Sequence, residues 1–213
     1  MKNVLVQAKQ QSDERFRALL GEKGWFRLPR AIRNRFGKRV SGGESVTYQG
    51  AVVNMRMNFA GRLLAQALRL VGSPLPFDLS MVGQPAVVVV TEDCESNGQF
   101  WVRQYGRAKG FPHIVHSSKR FAGPTGLEEY IGFGIGMSLR VEAESDALLF
   151  KSDRYFFEAL GFRIYLPLVF APGDLVIAHQ ALGEDRFMFS LDLSHPVFGA
   201  MIQQDALFQD AQA

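Results

Sequence analysis

The sequence predicts an α+β fold that is predominantly antiparallel β: a curved meander or open barrel packed around one main helix, with short N-terminal helices. Three observations lead there. Nine short strand-like stretches, separated by tight-turn residues, fill the span from Ala86 to Leu193. A single segment, Asn58 to Val71, has strong helical periodicity. The chain has 213 residues, 47% of them hydrophobic, which suits one well-buried core.

Residues 1–26 are polar and helical in flavour, with Phe16, Leu19 and Leu20 three and four apart, and are expected to form an N-terminal extension to a single β-rich domain over 27–213. Pro29, then Ile32 and Phe36, then Gly37 predict a short helix with an apolar stripe and a cationic remainder made by Arg30, Arg33, Arg35 and Lys38. From Glu44 the period shortens. Val46, Tyr48, Val52, Val53, Met55 and Met57 predict one or two strands bent at Gly50. Asn58 then caps a helix whose face is Leu63, Leu64, Ala67, Leu68 and Val71, ended by Gly72, Pro74 and Pro76.

The strands that follow are Ala86–Glu92, Gln99–Arg107, His113–Phe121, Leu127–Phe133, Met137–Ala143, Leu148–Phe157, Phe162–Leu166, Leu175–Leu182 and Arg186–Leu193. Asn97-Gly98, Lys109-Gly110, Gly123 to Gly126, Ser145-Asp146, Gly161, Pro172-Gly173 and Gly183 to Asp185 supply the turns. His195 to Phe208 fits a last strand or a short helix, with Ala211 to Ala213 a fraying end. Such a sheet must hide one face, by closing or by wrapping the helix. Eighteen Phe residues either fill the concave side or line a pocket for an apolar ligand.

Composition removes several classes of function. Cys94 is the only cysteine, which excludes an internal disulfide and a multi-cysteine zinc site. Apolar runs fall far short of the roughly 18 residues of a membrane span, and the polar start lacks a secretory signal, so a cytoplasmic location is expected. Residues 1–72 hold fourteen Lys and Arg against four Asp and Glu, whereas residues 73–213 hold ten against seventeen. The basic third suits an acidic partner, an anionic surface or plain solvation. Nucleic acid is not expected, because no helix-turn-helix, zinc-finger or ribonucleoprotein signature accompanies the charge.

A two-residue turn at Lys109-Gly110 would set Trp101 opposite Ser118, Arg103 opposite His116, and Tyr105 opposite Ile114. Continued through the Gly123 to Gly126 turn, this register sets Glu129 opposite Arg120. Trp101, Arg103, Tyr105, His116, Ser118, Arg120 and Glu129 then share one face and form the candidate ligand site, with Glu128, Lys119 and His113 on the other. Arginines there would hold an anionic or carbonyl group, Glu129 or His116 would exchange a proton, and the aromatic rings would pack on an apolar portion. The same pattern also describes an ordinary exposed sheet face with an Arg–Glu cross-strand pair. His113 and His116, three apart in a strand, point to opposite faces and do not suggest a metal. Gly132 to Gly136 lacks the dinucleotide fingerprint and reads as strand bending. Ser117 and Ser118 lack a nucleophile elbow, and His179 and His195 stand apart as structural or surface residues.

The run from His116 to Tyr130 (HSSKRFAGPTGLEEY) resembles the most distinctive segment of a bacterial family, domain of unknown function 4166. Leu28 to Ile32, Arg35 to Gly37, Gly61 to Ala65, Phe100 to Arg103 and Asp205 to Phe208 extend the resemblance from about Trp25 onward. Members often follow a saccharopine-dehydrogenase-like or short-chain NAD(P)-binding domain. The resemblance therefore implies a module tied to redox enzymes, and it supplies no catalytic residues to carry over. No Gly-x-Gly-x-x-Gly precedes Trp25, so no cofactor is expected in this chain. The leading expectation is a binding module for an apolar or amphiphilic small molecule. The alternatives are an enzyme using Glu129 or His116 as general acid–base, and an interaction domain that docks to a dehydrogenase-type partner through the basic N-terminal third.

Overall fold

The computed structural model describes residues 12–72 and 74–211. Its strands are β1 (Ser45–Met57), β2 (Pro85–Asp93), β3 (Gly98–Tyr105), β4 (His113–Arg120), β5 (Glu128–Gly132), β6 (Ile135–Ala143), β7 (Ala147–Ala159), β8 (Phe162–Tyr165), β9 (Asp174–Ala181), β10 (Arg186–His195) and β11 (Gly199–Asp210). All pairings between them are antiparallel, and β1 pairs with β11 to close the sheet on itself. The first part of β7, Ala147 to Lys151, pairs with β9, while its second part, Phe156 to Ala159, pairs with β8. The result is a closed ten-stranded barrel with β8 as a side hairpin on β7. Closure removes the sheet edges that an open meander would expose. The tail from Gly199 is the strand that completes the ring.

Each strand follows the two-residue period of its side chains. Trp101, Arg103 and Tyr105 are buried between the exposed Phe100, Val102 and Gln104. Leu175, Ile177 and His179 alternate with the less buried Val176, Ala178 and Gln180. The outward positions are mixed, with Arg140, Glu142, Lys151 and Asp192 beside exposed apolar residues such as Phe100, Val102 and Ile114. Among the described residues no helix is long and apolar enough to cross a membrane.

Helices α1 (Arg15–Arg27) and α2 (Arg30–Phe36) close one end. Gly21, at φ 66° and ψ 166°, breaks α1 into two pieces, a conformation open to glycine because it has no Cβ. Pro29 pre-sets the start of α2, and the amide of Gly37 donates to the carbonyl of Arg33 to finish it. Ile32 and Phe36 of α2 are buried, and the Phe36 ring lies 5.2 Å from His179, 5.8 Å from Phe150 and 6.4 Å from Trp101. Phe16 of α1 meets Phe36 and Phe121 edge to face.

The third helix, α3 (Phe59–Ala67), continues as a 3-10 turn over Leu68–Val71 at the opposite end. The Asn58 side chain accepts from the amide of Gly61 at 2.8 Å and donates to the carbonyl of Phe198 at 2.8 Å. A Cβ on Gly61 would stand 2.1 Å from the carbonyl oxygen of Met201, so only glycine lets the helix lie this close to β11. The sheet does not wrap α3. The helix rests on the rim through Gly61 and Ala65, and Phe36 enters the barrel from the other end in its place. Phe36→Ala should therefore cost about 3–5 kcal/mol in urea unfolding. Leu63→Ala, at a solvent-facing position of α3, should change stability by no more than about 0.5 kcal/mol.

Candidate functional site

Above the Phe36 plug, the barrel holds a cavity of about 110 Å3. Its far side is roofed by Leu68, Pro74, Leu75 and Pro76, which follow α3, and by Pro172 before β9. Val115, Met137, Ile177, Phe189 and Leu191 supply apolar wall, while Arg103, Ser117, Glu129 and Gln204 supply the polar part.

The polar part is built by three adjacent strands. Lys119 of β4 is the register partner of Glu129 of β5, and Trp101 of β3 faces Ser117 of β4. The ammonium of Lys119 donates to Glu129 Oε2 at 2.9 Å, and the guanidinium of Arg103 lies 3.3 Å from Glu129 Oε1. The Ser117 hydroxyl donates to Glu129 Oε1 at 2.6 Å and accepts from Arg103 at 3.3 Å. All four residues are buried. Burial alone would raise the Glu129 carboxyl, but the Lys119 ammonium, the Arg103 guanidinium and the Ser117 hydroxyl outweigh it and hold the group down at about 2. Burial pushes the Lys119 ammonium down, with Glu129 opposing and Arg103 adding to the effect. Two cationic side chains thus face one carboxylate in a low-dielectric interior, where an uncompensated charge is costly. On the same cavity wall, Gln204 is fully buried, and neither its amide nitrogen nor its oxygen has a partner among the described residues.

The expected register is corrected by one residue on both sides of β4. Observed partners are Phe100 with Ser118, Val102 with His116, Arg103 with Val115, and Arg120 with Glu128. The cause is loop length: residues 106–112 and 121–127 form odd-numbered loops in place of the assumed even turns, and an odd loop moves every side chain of the next strand to the other face. Pro112, which lacks an amide hydrogen, belongs to the first of these loops.

Trp101, Arg103, Tyr105 and Glu129 are together inside the barrel; His116 takes an outward register position and is exposed, yet it borders the cavity at its rim, whereas Ser118 and Arg120 are on the outer side. His113, Ser117 and Lys119 take the inward places. Ser118 donates to Asp93, and Arg120 lies over the Tyr130 ring at 3.9 Å. The expected Arg120–Glu129 pair does not form, and Glu128 is held by Arg163 of β8. Trp101 contacts Phe36 and His179 near the plug and is not part of the cavity wall. Glu129 and His116 both border the cavity, but Glu129 is bonded to Lys119, Arg103 and Ser117 and not to His116. A carboxylate held near 2 is also a poor proton acceptor and no proton donor at neutral pH.

His179, expected as a structural or surface residue, is wholly buried among Phe36, Trp101, Phe150, Phe187 and Phe189. Burial, reinforced by the charges of Arg35, Lys119 and Arg103, depresses its pKa well below 6.5. Lys119, Ser117 and Gln204 escaped the sequence reading. The first two were hidden by the register, and Gln204 by the ambiguity of the tail. The roof residues had a signal in Pro74 and Pro76, which mark a chain reversal without saying what lies beneath.

Two measurements check this account. Glu129→Gln leaves Lys119 and Arg103 uncompensated and should cost about 3–5 kcal/mol, whereas Lys119→Met leaves one cation with one carboxylate and should cost clearly less. Equal losses for the two variants in urea unfolding would contradict the charge balance. His179 is neutral in the fold and binds a proton below 6.5 when unfolded, so the wild type should lose stability as pH falls from 6.5, approaching about 1.4 kcal/mol per pH unit. His179→Leu should remove that slope between pH 6.5 and 5. Glu129 acts lower still: its contribution is complete above its ordinary value of 4.5 and is lost as pH falls toward 2.

The profile of a family described as Domain of unknown function (DUF4166) matches residues 28–208, from the end of α1 to β11. No curated protein matches the chain. The matched span contains nine barrel strands and all but the last two residues of β11, with the cavity and its roof, and on that match the chain belongs to the domain of unknown function 4166 family.

Proposed function

We propose that the barrel binds one amphiphilic small molecule, with an anionic or strongly accepting head beside Arg103 and Gln204, the first part of an apolar body along Val115, Ile177, Phe189 and Leu191, and the rest of a longer chain passing the roof toward the mouth. The observation that carries this reading is Gln204. A fully buried side-chain amide with neither atom paired costs stability in an otherwise apolar wall, and a ligand head is the group that would satisfy it. The excess positive charge of the Arg103, Lys119 and Glu129 cluster supports a head of negative sign. The apolar wall suits the remainder, as in small-molecule sites where a few polar groups orient a largely apolar ligand. Glu129 then serves to hold Arg103 in place, and the reading requires no chemistry on the ligand.

A dehydrogenase-type partner is a separate proposal. It is supported by the family resemblance and by an open, polar cleft in which Arg17, Arg30, Arg33 and Lys38 stand together beside α1 and α2.

Calorimetric titration of the full chain with dodecanoate and with dodecanol tests the ligand reading. Dodecanoate should bind one per chain and dodecanol about tenfold more weakly, since a tenfold difference corresponds to one modest charged hydrogen bond. Gln204→Leu should raise the stability of the free protein by about 1–3 kcal/mol while weakening dodecanoate about tenfold. Absence of saturable binding for both compounds, or a Gln204→Leu variant that binds dodecanoate unchanged, contradicts the proposal.

A further inference from the structure

The end of the barrel that carries the cavity roof differs from the end closed by α1 and α2. The antiparallel order brings the end of β1, the starts of β2 and β4, the β5–β6 and β7–β8 turns, and the β10–β11 turn to this one face. Each loop here carries an apolar side chain in solvent. Leu160 is 96% exposed, Phe111 90% and Leu70 86%, and Phe133, Phe170 and Phe198 are exposed as well. They come from six separate loops around the cavity roof, and core packing uses none of them. Singly exposed apolar residues need no explanation, but a ring of them around one opening does.

The charges on this face have one sign in excess. Segments 56–84, 105–114, 131–136, 157–174 and 194–200 contain six Lys and Arg (Arg56, Arg62, Arg69, Arg107, Lys109, Arg163) against Asp78, Glu158 and Asp174. Two of the three acids are already engaged, Asp78 by Arg107 at 2.6 Å and Glu158 by Arg163 at 2.8 Å. Arg56, Arg62 and Lys109 are exposed. At the plug end, segments 12–44, 92–98, 120–127, 143–147, 182–186 and 209–211 hold eleven Lys and Arg against twelve Asp and Glu. The mouth face alone therefore combines exposed apolar tips with surplus cations.

We infer that this face docks on an anionic lipid bilayer, with the loop tips entering the headgroup region and the arginines meeting lipid phosphates and carboxylates. Charge complementarity selects a negatively charged surface. Shape selects lipid over a folded protein: a protein interface is a continuous patch packed to interior density, whereas a fluid interface accepts separate protruding side chains. The mouth would then open toward lipid, a route that needs no passage of an amphiphile through water. The docking itself does not depend on what the cavity holds.

Flotation of the full chain with vesicles of phosphatidylcholine, alone or mixed with phosphatidylserine, tests the inference. The chain should float with the mixed vesicles, and added salt should release it. The double variant Leu160→Ser/Phe170→Ser should lower that binding about tenfold or more without lowering the unfolding temperature, since both sites are exposed. Arg62→Gln/Arg69→Gln should weaken binding to the mixed vesicles and leave phosphatidylcholine binding unchanged. Failure to float with either vesicle overturns the inference. So does binding abolished by Arg30→Glu/Lys38→Glu but unaffected by the loop-tip variant, which would move the contact to α2. A concentration-dependent dimer dissolved by the loop-tip variant, with no flotation, would identify the face as a contact between two copies of the chain and also overturn it.

Discussion

One carboxylate holds two cations inside this barrel, and the geometry of the interior follows from it. Glu129 is gripped by Lys119, Arg103 and Ser117, contributed by β4, β3 and β4 again, so three strands are tied through a single side chain. A buried charge cluster of this kind is poor evidence for stability, because desolvation offsets most of the attraction. It is good evidence for specificity of register. A slip by one residue in β4 or β5 would turn Ser118 or Glu128 into the barrel interior in place of Lys119 or Glu129 and push charged partners apart, a far larger penalty than a slip between apolar residues.

The interior divides along the barrel axis into two regions of different chemistry. Toward the plug, Phe36 from α2 enters a ring of aromatic side chains around a neutral His179, with the stem and ammonium of Lys119 over the Trp101 and Phe150 rings. Toward the mouth, the wall is largely aliphatic, with Tyr105, Tyr155 and Phe189 among its side chains, and the roof is a short proline-containing segment. The cation–carboxylate cluster stands where the two regions meet. That placement converts a core-stabilising group on one side into a polar wall on the other, and Gln204 shares that wall. Natural proteins tolerate such violations of good packing chiefly at functional sites.

Most of the architecture was legible in the chain itself. The period-two alternation and the Gly- and Pro-rich punctuation located β2 to β10 to within a few residues, and Asn58, Pro29 and Gly37 marked helix ends that the structure bears out. What was not legible depended on the parity of two loops. Lys109-Gly110 and Gly123 to Gly126 are genuine turn residues, with Gly110, Gly123 and Gly126 all at positive φ, yet they sit inside longer loops. Sequence shows that the chain turns there but not how many residues take part, and one residue decides whether His116 or Ser117 faces inward. Barrel closure was equally hidden, because the pairing of β1 with β11 joins residues that local patterns cannot connect.

A crystal structure of the full chain grown with 12-bromododecanoate would locate both ends of the bound molecule, since bromine is found by its anomalous scattering. A carboxylate within hydrogen-bond distance of Arg103 and Gln204, with the bromine along the apolar wall or at the mouth, is the expected result. A side chain of Gln204 bonded only to ordered water, with bromine found solely on the outer surface, would contradict the ligand reading.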